Sequence, residues 1–145
     1  DSGHLVMSAP NPNGGRCLVG DGVASLLAVL CAMSCNNRTE AFTRGFKRRV
    51  SISPSNRSKW TGDNELADTV GNIATRNLGD MKRCDLVGES NLMLLENDEI
   101  SIGVRNSGTQ AKTNISLRVV PEVDYSPALN AVKEIHEILK KELQD

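Results

Sequence analysis

Apolar residues along the chain recur in three helical stripes, separated by stretches in which apolar and polar positions alternate. In "GDGVASLLAVLCAMS", Val23, Leu26, Leu27, Leu30 and Met33 return at helical spacing, which predicts a helix opening after Asp21 as its N-cap. Val29 and Cys31 widen the apolar face, so this helix is expected to be well buried. "DNELADTVGNIATRNL" predicts a second helix over about 63–78, carried by Leu66, Val70, Ile73, Ala74 and Leu78. Gly71 weakens it by up to about 1 kcal/mol relative to alanine, and Gly79 is a natural stop. "SPALNAVKEIHEILKKELQD" predicts a third, capped by Ser126, with Pro127 in its first turn. Ala128, Val132, Ile135, Leu139 and Leu143 form its stripe, and Lys140 and Lys141 suit its C-terminal dipole. His136 falls beside that stripe, the place of a surface or boundary histidine rather than a catalytic one.

The intervening segments read as strands and turns. "GHLVMSA" (3–9) predicts a short strand, followed by loop chemistry in "PNPNGGR". Phe46, Arg48, Val50 and Ile52 share one parity, predicting a strand that ends before Pro54. The cations from Lys47 to Lys59 are read as a solvated edge strand, with a phosphate or RNA patch as the alternative. "RCDLVGES" predicts a weak strand, and "NLMLLEN", "EISIGVRN" and "TNISLRVVPE" firmer ones, with Asn97-Asp98 at a hairpin tip. "NNRTEAFTRG" is polar and aperiodic, a linker with a domain boundary near 36–44. The order strand, helix, three strands, helix predicts an α+β domain: an antiparallel sheet of about four strands with two helices on one face. A strand–helix piece resembling the remnant of an α/β domain precedes it.

Charge and cysteine content narrow the function. Seventeen basic against eighteen acidic residues give a net charge of −1, without the basic excess that nucleic acid or a membrane surface demands. Aromatics at 3% leave few stacking platforms for single strands. No apolar run approaches the roughly 18 residues of a membrane span, and nothing reads as a signal peptide. The first residue is Asp1, not Met, as in a processed or excised piece. Cys17, Cys31, Cys35 and Cys84 lack the paired spacing of a metal site and are expected to be buried thiols in a reducing, cytoplasmic compartment.

The candidate chemistry lies in "VRNSGTQ". Arg105 offers a planar donor fork, Ser107 and Thr109 offer hydroxyls, and Gly108 permits a turn whose successive amides face one point. Two readings stand: a phosphate cradle, or a polar hairpin loop with a turn glycine.

Taken in order, Ser2-Gly3-His4, Gly20-Asp21-Gly22 and Arg105-x-Ser107-Gly108-Thr109 followed by Lys112 resemble the α-D-phosphohexomutase superfamily, specifically the end of its third domain and its fourth. The family's sugar loop reads Gly-Glu-x-Ser-Gly-His and its phosphate loop Arg-x-Ser-Gly-Thr-Glu-Pro-Lys. Gln110 and Ala111 depart from Glu-Pro. The resemblance implies domains over 1–40 and 41–145. It implies a part of an enzyme that interconverts hexose 1- and 6-phosphates, with hexose 1,6-bisphosphate as intermediate. It assigns Arg105, Asn106, Ser107, Gly108 and Thr109 to the substrate phosphate, and Ser2 and His4 to the sugar. The phosphoserine and the Mg²⁺ loop would lie in upstream domains of the same protein, so this piece alone is expected to be inactive. Two rivals remain: a stand-alone sugar-phosphate-binding module, and an interaction domain whose basic strand contacts RNA.

Overall fold

The computed structural model describes residues 7–10, 12–20, 22–37, 44–84, 86–89 and 91–144, and the chain divides into two compact units, 1–43 and 44–145. In the first unit β1 (Met7–Pro10) and β2 (Arg16–Val19) form an antiparallel hairpin, with Met7 opposite Val19 and Pro10 opposite Arg16. The segment 10–16, read as loop, therefore enters a strand at each end, and Gly14 turns the chain with φ +85°. The Arg16 guanidinium ties the hairpin together by donating to Ser8 Oγ at 2.8 Å. At four residues β2 is too short for a hydrophobic period to mark it.

Helix α1 (Gly22–Cys35) corrects one expectation. Among its described residues only Ser25 is buried, while Val23 is 68% exposed and Leu26 58%. A helix apolar on all sides needs neighbours on all sides, and a hairpin beside one helix offers too little surface to wrap it. Cys31 and Cys35 are exposed with it and Cys84 is half-buried, which corrects the expectation of buried thiols. Asp21 and the Cys17 side chain lie outside the described residues.

The second unit is α+β. Strands β3 (Phe46–Ile52), β4 (Lys82–Cys84), β5 (Leu92–Glu96), β6 (Ile100–Asn106) and β7 (Thr113–Val119) form an antiparallel sheet in the order β3-β7-β6-β5-β4. The fifth strand, β4, overlaps the start of the segment that reads as a weak strand. Helices α2 (Glu65–Leu78) and α3 (Ser126–Gln144) pack on each other, α3 against β7 and β3 and α2 against β5. The cationic strand β3 is indeed an edge.

Register explains the core. Ile100, Ile102 and Val104 of β6 stand opposite Val119, Leu117 and Ile115 of β7, and all six are buried. Val70, Ile73 and Ala74 of α2 and Ala128, Val132, Ile135, Leu139 and Leu143 of α3 close over them. Each fully buried large side chain stabilises the fold by about 1.5–3 kcal/mol. Every buried apolar side chain among the described residues lies between Ile52 and Leu143, so the second unit carries its own core.

Caps fix the helix ends. Asn64 accepts from the Ala67 amide, and Gly79, at φ +77°, donates to the Thr75 carbonyl. Asp124, not Ser126, receives the free amide at the start of α3: its Oδ1 accepts from Ser126 N at 2.9 Å. That bond holds the Asp124 carboxyl below its ordinary value. Glu134 on α3 is likewise held low by the hydrogen bond from Arg76 on α2.

Gly45 leads into β3 under tight constraint. A Cβ there would stand 2.0 Å from the Val119 carbonyl oxygen. Gly45→Ala must therefore push the start of β3 away from β7. A loss of about 1–3 kcal/mol is expected, measured by urea unfolding.

Candidate anion site at the β6–β7 turn

Strand alternation divides the residues at the end of β6. Arg105 stands on the sheet face opposite the helices and Asn106 on the helix face. Asn106 is 7% exposed, and its side chain is fully committed inward. Its Nδ2 donates to the carbonyls of Arg57 and Trp60, both at 2.9 Å, and its Oδ1 accepts from Thr113 Oγ1 at 2.8 Å. Asn106 is thus the bolt under the turn, and its side chain is not available to a ligand.

The turn from 107 to 112 closes on itself. Ser107 N donates to Lys112 O and Lys112 N to Gln110 O, both at 2.8 Å. Among the described residues the amides of Gly108, Thr109, Gln110 and Ala111 meet no acceptor, and the hydroxyls of Ser107 and Thr109 bond nothing. Four amides and two hydroxyls therefore remain free in one short loop. Gly108 does not take the left-handed backbone expected of an anion nest, and a Cβ on it would meet nothing within 4 Å. The space above it is open.

Two further residues shape the site. The Arg57 guanidinium donates to the carbonyls of Ser107 at 2.8 Å and Gly108 at 3.3 Å, which occupies both loop oxygens and brings a positive charge against the loop. Arg57 follows Asn56, whose side chain accepts from Ser58 N and caps the short helical turn Arg57–Lys59. Behind it Trp60 is wholly buried, with Nε1 donating to Asn91 O at 3.1 Å. Arg57 sits fifty positions from the loop it braces, beyond any local period. The only sequence signal for it was its place in the cationic cluster.

Arg105 does not close over the loop hydroxyls. Its guanidinium pairs with Glu89 Oε2 at 3.0 Å, both side chains being substantially exposed. Such surface pairs contribute about 0–1 kcal/mol, so a phosphate dianion can compete for the fork. The structure thus brings Ser107, Gly108 and Thr109 together with Arg57, sets Arg105 on the adjoining sheet face, and buries the Asn106 side chain. Ser2 and His4 lie outside the described residues. No three His, Cys, Asp or Glu side chains among the described residues gather to hold a metal ion. No helix among them is long and apolar enough to cross a membrane. No family model, curated protein or solved structure matches the chain.

Proposed function

We propose that this chain is the C-terminal part of a cytoplasmic phosphohexomutase and that its β6–β7 loop grips the phosphate of a hexose phosphate. The observation that carries the reading is the set of unpaired donors in one turn: the amides of Gly108, Thr109, Gln110 and Ala111 and the hydroxyls of Ser107 and Thr109. Amides fixed in advance need no reorganisation when an oxyanion arrives. Arg57 adds charge at the loop, and Arg105 can exchange Glu89 for the ligand. Nucleophile and Mg²⁺ belong, on this reading, to upstream domains, and this part supplies binding and orientation. Phosphoryl transfer depends chiefly on those two terms. Ser2 and His4 would contact the sugar.

An amide-resolved titration with hexose 6-phosphate tests this. Shifts should concentrate at 107–111. Arg105→Ala should weaken binding about 10- to 100-fold, the loss of one charge-assisted contact. Shifts confined to other segments, or an unaffected Arg105→Ala, would overturn the reading.

A further inference from the structure

The sheet face away from α2 and α3 carries a separate arrangement. Register sets it out in three rows. Lys47, Arg118, Ser101 and Glu96 form the first, Arg49, Ser116, Gly103 and Leu94 the second, and Ser51, Asn114, Arg105 and Leu92 the third. One arginine therefore stands in each row, on β7, β3 and β6 in turn. The smallest residues, Ser116 and Gly103, lie side by side at the centre. A groove of about 290 Å³ runs over them, bordered by Arg49, Arg105 and Arg118.

The floor is built, and of the three arginines that border the groove only Arg105 is paired among the described residues. Ser116 Oγ donates to Gly103 O at 3.2 Å, and a Cβ on Gly103 would come 3.0 Å from that hydroxyl, so a larger side chain would fill the groove. Arg49 and Arg118 have no hydrogen-bond or ion-pair partner among the described residues. Arg118 stands opposite Lys47 in the register of β3 and β7. Of the acids nearby, Glu96 accepts from Ser101 Oγ and Glu89 pairs with Arg105. Diagonal cross-strand neighbours stand roughly 7–8 Å apart, within reach of two guanidinium arms converging on one ligand.

We propose that this groove is a second anion site, taking an elongated oligophosphate group such as a di- or triphosphate, with Arg49 and Arg118 as its principal ligands. Successive cations in separate rows match charge spread along a chain better than one tetrahedral anion. Single-stranded RNA fits less well, because the described residues of these three rows include no aromatic ring on which a base can stack. The site does not depend on the loop at 107–111.

The test is tripolyphosphate binding to the full chain, followed by amide shifts and calorimetry at two salt concentrations. Shifts are expected at 49, 103, 116 and 118. Arg49→Gln with Arg118→Gln should weaken binding at least 10-fold. Ser116→Val, which fills the groove without changing charge, should weaken it at least 5-fold while the melting temperature holds. Shifts confined to 107–111 would overturn this site and leave the loop reading standing. Binding that drops with charge removal but not in Ser116→Val would mean diffuse attraction and overturn it too. So would a single-stranded RNA oligonucleotide binding this face more than 10-fold tighter than tripolyphosphate.

Discussion

Asn106→Ala is expected to destabilise the 44–145 unit by about 2–4 kcal/mol, read from the urea midpoint at constant slope. The substitution removes little volume, so packing is the smaller part of the loss. Three hydrogen bonds disappear together, leaving the Arg57 and Trp60 carbonyls and the Thr113 hydroxyl without that partner. The Thr113 hydroxyl retains Ser55 Oγ at 3.0 Å, which softens one of the three losses. Asn106→Asp should do at least as much harm, since it exchanges the amide donor for a carboxylate oxygen aimed at two carbonyl oxygens. If alanine and aspartate variants both melt with the parent, the bolt described here does not bear on stability. Any loss of phosphate affinity in these variants should come through a loosened loop, so Thr113→Val should reproduce part of it.

Trp60→Ala should cost about 3–5 kcal/mol, the range for deleting a buried aromatic ring. The indole is 0% exposed, lies within the main apolar cluster, and spends its one polar group on Asn91 O. Trp60→Phe separates the two contributions. It keeps most of the packing and gives up a single hydrogen bond, so about 1–2 kcal/mol is expected. The alanine variant should also disturb the amides of 107 and 108, because Trp60 backs the short turn that presents Arg57. A loss confined to stability, with those amides unmoved, would show that the turn is held independently of the ring.

The contrast between Arg105 and Asn106 shows which information a sequence carries. Alternation assigned the strands and most of the core: Ile115, Leu117 and Val119 share a face, and all are buried. The stripe from Ala128 to Leu143 on α3 was equally legible, because periodicity is local and burial follows it. The site was legible in part. Its loop was marked by glycine and hydroxyls, yet the roles within it depend on residues distant along the chain. Asn106 is bonded to Arg57 and Trp60, and Arg57 to Ser107, through separations that no window spans. The exposure of α1 escapes the sequence for a related reason. Apolar spacing states what a helix could cover and is silent on whether anything lies against it.

The uncovered flank of α1 has a practical consequence for anyone preparing this protein. Val23, Leu26, Leu27 and Leu30 together expose a greasy strip in water, the kind of surface that promotes clumping as concentration rises. The remaining portion, from Arg44 onward, owns every buried apolar side chain among the described residues. A cut at Thr43 would therefore part the sticky segment from a self-sufficient one, and the shorter product should stay clear in solution at the strengths a spectrometer demands.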